Sequence, residues 1–258
     1  MKYNYINSGY FGRKKIFYKF IGKNFSLKKR FFFLHGVFST TLKDKYFSLA
    51  EEIEKNKIGS VFLYETSRKI YSWESNLEFE KYEQTFKGKT FEDEKKDVEK
   101  AFKYFLKITS INDKNIVLVG FSLGGTLASF LLPKYGRLIR SLFLFGSGIS
   151  TKRKELPVLS SYPPKDKILS NFKNFNGSIY LIQGEKDNVV PKEEGREILK
   201  VENNSFIKKN VILKNIDHQF FSVYEEKKLF IKEWIFQFIK NSLIEEDKLS
   251  RLLNLNND

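Results

Sequence analysis

Residues 116–125 read Ile-Val-Leu-Val-Gly-Phe-Ser-Leu-Gly-Gly, and this stretch decides the fold. Ile116–Val119 is a short, unbroken apolar run of the kind that forms a parallel strand buried on both faces. Gly120-Phe121-Ser122-Leu123-Gly124 follows without a gap, and a helical pattern carrying Leu127, Phe130 and Leu131 comes next. A strand that enters a helix through Gly-x-Ser-x-Gly sets the serine on a sharp, strained bend, where small residues two before and two after it let the flanking chain pass. The helix N-terminus then aims its N–H groups at negative charge developing beside the serine. The five-residue pattern is weak by itself and takes its weight from the sequence around it.

Working outward, similar apolar runs recur at Phe31–Leu34, Val61–Tyr64, Leu142–Phe145, Ile179–Ile182 and Val211–Leu213. Amphipathic patterns lie between them. Tyr46, Leu49, Ala50 and Ile53 fall on one helical stripe. Val98, Ala101, Phe102, Phe105 and Leu106 form another, with Thr90 and Asp93 spaced as a capping box upstream. Phe230, Ile231, Trp234, Ile235, Phe238 and Ile239 mark a long C-terminal helix. Strand–helix alternation of this kind predicts a doubly wound, mostly parallel sheet flanked by helices. Residues 1–30 read as one or two antiparallel strands, with Gly9 and Gly12 near the turn and Ile16–Phe20 in the second. With no repeat or long linker in view, residues 1–258 are expected to form a single domain. Its subdivisions are the N-terminal strands, a short 149–177 crossover region and a 242–258 tail that extends the last helix, frays or makes a dimer contact.

Composition narrows the chemistry. Of the 258 residues 41% are apolar, enough for a sizeable core, and there is no Cys, which excludes disulfides, thiolate metal sites and a Cys nucleophile. The 27 Phe and 13 Tyr accompany abundant Lys, Asn and Ile, a bias that carries no functional weight. Met1–Gly22 has no apolar stretch resembling a signal sequence, so a soluble cytoplasmic protein is expected. The formal charge is +15, and ten basic residues with no acidic one precede Asp44. Such asymmetry suits an anionic partner or a solvated Lys-rich face. No nucleic-acid motif accompanies it, so a solvated face is favoured, with weak membrane-surface association held in reserve.

A serine hydroxyl needs a neighbouring base to act as a nucleophile at neutral pH. The chain has two His. His218 follows the last predicted strand and precedes the C-terminal helix; His35 ends the Phe31–Leu34 strand. The chain order Ser, acid, His selects His218 as base. The acid that fixes its tautomer is expected to be Asp187, in Gly184-Glu185-Lys186-Asp187, with Glu185 in reserve. Asp217 adjoins His218, but neighbouring side chains on an extended loop point apart. Two backbone donors should bind an oxyanion: Leu123 N–H, and an amide of the His35-Gly36-Val37-Phe38 loop, Val37 first and Phe38 second. His35 is then structural, its ring hydrogen-bonded within the loop.

His35-Gly36, Gly120–Gly125, Gly184–Asp187 and Asp217-His218 resemble, in order and spacing, the α/β-hydrolase superfamily over residues 31–240. The likeness is greatest to its small bacterial carboxylesterases, monoacylglycerol-lipase-like enzymes and serine aminopeptidase-like members. It implies the eight-stranded α/β-hydrolase fold and hydrolysis of esters, thioesters or amides. Two features depart from it. Residues 65–73 lack the Asp-x-Arg-Gly-x-Gly loop of many relatives, and Ile149–Gly177 spans only 29 residues, so a large cap domain is not expected. The pocket should be open or roofed by the Pro157–Pro164 loop.

Ligands bind beyond the carboxyl ends of the strands in such sheets. Phe38, Tyr71, Trp73, Phe121, Phe220 and Phe221 lie on those loops and are expected to line an aromatic pocket. The activity expected is carboxylic ester cleavage through an acyl-enzyme, with a small ester or lipid-like substrate, no nucleic acid and no metal or organic cofactor. The same residues would serve a peptidase or amidase, a thioesterase or an acyltransferase. A non-catalytic binding module on this scaffold is the alternative of another class. Oligomeric state is not legible in the sequence.

Overall fold

A computed structural model of the chain describes residues 3–7, 9–22, 29–42, 44–71, 79–220 and 225–255. Strands β1 (Asn4–Asn7) and β2 (Lys15–Ile21) form the N-terminal hairpin. There follow β3 (Lys29–Leu34), α1 (Asp44–Lys55), β4 (Gly59–Glu65), α2 (Phe79–Phe86), α3 (Phe91–Thr109), β5 (Ile116–Phe121), α4 (Leu123–Ser129) and α5 (Leu132–Tyr135). The chain continues through β6 (Ile139–Phe145), α6 (Pro157–Ser160), α7 (Lys165–Ser170), β7 (Ser178–Gly184), α8 (Lys192–Lys200), β8 (Lys208–Leu213) and α9 (Glu225–Leu255). The strands make one eight-stranded sheet in the order β1-β2-β4-β3-β5-β6-β7-β8. β1 pairs antiparallel with β2 and β2 with β4; every other pairing is parallel.

The unbroken apolar runs make sense once both faces of the sheet are covered. Side chains alternate across a strand. Phe32, Leu34, Leu118, Leu142, Leu144 and Leu181 thus enter one core with Phe102 and Phe105 of α3 and Leu127 of α4. Phe31, Phe33, Val117, Val119, Phe143, Phe145 and Ile182 enter the other, with Leu49 and Ile53 of α1 and Ile235 and Ile239 of α9. Thr90 caps α3 as its spacing predicts: its side chain accepts the Asp93 N–H, and the Asp93 carboxylate accepts the Thr90 N–H.

Four expectations need correction or completion. β8 is an edge strand, and Lys208–Leu213 is half-buried or exposed rather than enclosed, because nothing pairs beyond it. Phe230 is exposed on α9, and the buried stripe runs through Ile231, Ile235, Phe236, Ile239 and Leu243. The 149–177 crossover region holds two short helices, α6 and α7, the second ending at Ser170. The tail past Asn241 extends α9 without a break to Leu255.

Register then brings the functional loops to one level. Leu34 pairs with Gly120, Phe121 with Phe145, and Gly184 with Leu213. The loops leaving β3, β5, β6, β7 and β8 therefore start side by side at the carboxyl edge. The chain leaves β3 toward the face that α1 covers and leaves β5 toward the face that α4 covers. That divergence opens a crevice between the two strand ends.

Candidate active site

Ser122 occupies the bend between β5 and α4 with φ 51° and ψ −122°. A non-glycine residue with positive φ costs on the order of 1–3 kcal/mol and persists only where its surroundings enforce it. Here the Ser122 N–H donates to the Phe145 carbonyl at 2.8 Å, and the Gly125 N–H donates to the Ser122 carbonyl at 2.9 Å. The crowding explains the flanking glycines. A Cβ on Gly124 would lie 2.3 Å from the Leu34 carbonyl oxygen, and one on Gly125 would lie 1.9 Å from Ser147 Oγ.

The other two groups come from loops zipped together by backbone. After β7, Glu185 N–H donates to the Leu213 carbonyl and Lys186 N–H to the Ile216 carbonyl, at 2.9 and 2.8 Å. Asp187 is thereby set opposite His218. Its Oδ1 accepts the Val189 and Val190 N–H groups, both at 2.9 Å. Its Oδ2 lies 2.9 Å from His218 Nδ1, and the other ring nitrogen, Nε2, lies 2.9 Å from Ser122 Oγ. A carboxylate only accepts, so Nδ1 carries the proton and Nε2 presents its lone pair to the serine hydroxyl. The two alternative acids are occupied elsewhere: Glu185 accepts from the Asn215 N–H and Asp217 from the Gln219 N–H.

A cleft of about 310 Å³ opens over Ser122 and His218. Val37, Phe38, Leu123, Phe121 and Phe220 line it, as expected of the two amide donors and three of the aromatic residues. Tyr71 does not line it. The residue is fully buried, and its hydroxyl donates to the Lys15 carbonyl at 2.5 Å. Its ring packs edge-on against Phe17 at 4.6 Å. The hairpin thus claims this side chain, and position on a loop after a strand did not reveal it. Trp73 and Phe221 lie outside the described residues.

The sequence reading missed several contributors. Tyr46, Phe145, Leu159, Tyr162 and Arg153 also line the cleft. Leu159 and Tyr162 come from the 157–164 stretch expected to roof it. Tyr162 is tied to α4 through Thr126 Oγ1 at 2.6 Å. Gly146, with φ +54°, sits beneath the acid–base pair, where a Cβ would lie 3.3 Å from His218 Nδ1 and 3.4 Å from Asp187 Oδ2. Its signal was available, since it directly follows the β6 run at the edge where ligands bind. Among the described residues no group of His, Asp and Glu is arranged to hold a metal ion, and no helix is long and apolar enough to cross a membrane.

The sheet order and the serine at the β5–α4 bend define an α/β-hydrolase. Solved structures agree on the fold. Est1E from Butyrivibrio proteoclasticus is 12% identical with a TM-score of 0.64, over 95% of this chain and 100% of that one. Mouse alpha/beta hydrolase domain-containing protein 10 is 16% identical with a TM-score of 0.65, over 96% and 100%. The monoacylglycerol lipase of Paleococcus ferrophilus is 13% identical with a TM-score of 0.61, over 86% and 98%. None of the curated proteins compared matches the sequence. The family model described as serine hydrolase (FSH1) matches residues 7–220, and the chain belongs to that family of serine hydrolases.

Proposed function

We propose that the protein hydrolyses carboxylic esters through an acyl-enzyme intermediate, with Ser122 as nucleophile, His218 as general base and then acid, and Asp187 as the residue that orients and charge-stabilises the imidazole. The observation that carries this reading is the unbroken relay from Asp187 Oδ2 through both His218 nitrogens to Ser122 Oγ, with both links at 2.9 Å. In the first half-reaction Ser122 Oγ adds to the carbonyl carbon while His218 Nε2 takes its proton. The Leu123 and Val37 amides stabilise the oxyanion, and His218 returns the proton to the departing alcohol. Water then repeats the sequence on the acyl-enzyme. The cleft walls mix aromatic and aliphatic side chains with polar ones such as Ser150, Thr151, Arg153 and Gln219, which suits an ester with an apolar acyl group. Est1E, a structural neighbour, has been solved with ferulic acid bound, and another neighbour is a monoacylglycerol lipase; an acyl-ester substrate here is in keeping with both.

Two measurements test the proposal together. A fluorophosphonate probe should form one adduct, on Ser122, and a panel of p-nitrophenyl acyl esters should be turned over with burst kinetics. Absence of a Ser122 adduct would remove the nucleophile assignment. Labelling with turnover of acyl thioesters or aminoacyl amides but not esters would reassign the leaving group to a thiol or an amine.

A further inference from the structure

Behind the cleft lies a cluster of charge with almost no contact with water. Lys89 and Asp97 are 0% exposed, Glu94 and His35 1%, and Arg68 2%. Lys89 Nζ lies 2.6 Å from both Glu94 Oε2 and Asp97 Oδ2. Arg68 Nη2 lies 3.4 Å from Glu94 Oε1, and Thr66 Oγ1 donates to the same carboxylate at 2.9–3.0 Å. Asp97 also accepts the Ser67 and Tyr10 N–H groups, both at 2.8 Å. Burying several charges costs more than their attraction returns unless nearly every lone pair and proton is matched.

His35, the first residue after β3, packs against this cluster. His35 Nδ1 lies 2.9 Å from the Gly36 carbonyl oxygen. A carbonyl only accepts, so the proton is on Nδ1. Nε2 faces inward, 3.5 Å from Thr66 Oγ1 and 3.9 Å from Glu94 Oε1. Tyr64 flanks the ring with centroids 5.6 Å apart. Burial lowers the imidazole pKa to about 4; Glu94 pulls the other way, and Arg68 and Lys89 add to the lowering. At neutral pH the ring is uncharged, so its approach to Glu94 is not an ion pair.

The peptide plane turns this bond into aim. In a trans peptide the carbonyl and the next N–H lie in one plane and point in opposite directions. Fixing the Gly36 carbonyl on His35 therefore fixes the direction of the Val37 N–H, away from the buried cluster. Ser122 is close by: a Cβ on Gly36 would lie 3.2 Å from Ser122 Cβ.

We propose that His35 is a positioning residue for the oxyanion hole. Its Nδ1–H holds the Gly36 carbonyl so that the Val37 amide faces the oxyanion formed at Ser122, and tight packing among Tyr64, Thr66 and Glu94 keeps the ring in that orientation. This rests on the ester-hydrolase reading above.

His35→Leu removes the donor and keeps an apolar side chain; His35→Asn keeps an N–H near the position of Nδ1. His35→Leu should lower kcat by about 10²-fold with KM within a few-fold, the loss typical of one missing oxyanion donor. It should weaken a trifluoromethyl ketone, which forms a tetrahedral oxyanion on the serine, by the same factor. His35→Asn should restore most of both. With two His in the chain, the ¹⁵N imidazole spectrum of the His218→Ala variant reports His35 alone, even if His35→Leu does not fold. It should show a proton on Nδ1 and a bare Nε2 at neutral pH. A proton on Nε2 instead, or unchanged kcat and ketone affinity in His35→Leu, or equal losses in His35→Leu and His35→Asn, would overturn the proposal. Wild-type labelling of Ser122 by the fluorophosphonate separates these outcomes from failure of the ester-hydrolase reading, in which no adduct forms at all.

Discussion

His35 and His218 stand on the same edge of the sheet, one at the end of β3 and one beyond β8, and both carry a proton on Nδ1. There the likeness ends. The His218 side chain is 16% exposed and its Nδ1–H meets a carboxylate. Its Nε2 faces a hydroxyl in an open cleft. The His35 ring is shut in, and its Nδ1–H meets a backbone carbonyl. A carboxylate partner stabilises an imidazolium as it forms, so His218 can take a proton and give it back. At His35 burial outweighs the help that Glu94 and the Gly36 carbonyl give to the charged form, and holds the pKa to about 4. One residue type is thus suited to proton transfer or to fixed hydrogen-bond donation according to its burial and the partners of its ring.

The contrast breaks hardest at the open site. Ser122→Ala should lower kcat on an activated ester by about 10⁴-fold or more with unchanged thermal unfolding. Wild-type turnover in that variant would remove the serine from the reaction. Asp187→Asn should lower kcat by up to about 10⁴-fold near neutral pH, because the amide favours the wrong His218 tautomer. Full activity in Asp187→Asn, with loss in Glu185→Gln, would transfer the role to Glu185.

The closed site should answer in stability. Lys89→Met leaves Glu94 and Asp97 short of a cation in a dry interior and should cost about 3–5 kcal/mol in urea unfolding. A loss below about 1 kcal/mol would mean that water reaches the cluster. Acid should weaken the same region. Folded His35 binds its proton only near pH 4, against 6.5 when unfolded, so the unfolded chain binds more protons in between and stability falls as pH drops. That contribution is on the order of 3 kcal/mol, complete above pH 6.5 and gone below pH 4. Burial alone would raise the Glu94 carboxyl, but Arg68, Lys89 and His35 outweigh it and hold it well below its ordinary value of 4.5. Its share is lost as pH falls below that value. In His35→Asn, unfolding measured between pH 7 and 4 should keep only the shallower decline; an unchanged slope would refute the His35 assignment.

The smallest effect is expected on the outer side of the N-terminal hairpin, whose inner side Asp97 pins through the Tyr10 amide. Replacing Arg13, Lys14 and Lys15 with Gln should change turnover of neutral esters little, because exposed charges are screened within about 8 Å at physiological salt. Salt-sensitive co-sedimentation with anionic vesicles by wild type, lost in the triple variant, would instead make this face a membrane contact.

Local pattern and chain order were enough to read the nucleophile bend, the strands, the two helix faces and the Ser122–Asp187–His218 set. Each rests on short-range constraints: apolar alternation, a glycine where the chain crowds, a titratable residue just past a strand. The same rule failed for Tyr71, which follows β4 as Phe38 follows β3, yet turns inward to the Lys15 carbonyl. Which way a loop side chain turns depends on what packs against it, and the partner here lies 56 residues away. β8 failed for the matching reason, since an apolar run cannot tell whether another strand pairs beyond it.

By itself, then, the sequence determined the alternation of strands and helices, the serine at its bend and which Asp and His would stand beside it, because these follow from residue type and nearby spacing. Only the tertiary structure decided which carboxylates are dry, that Lys89, Glu94 and Asp97 meet, that Gly146 makes room under the acid–base pair and that His35 turns to the Gly36 carbonyl. Those outcomes depend on distances between segments far apart in the chain, and on the loss of water when they close together, which no local pattern of residues records.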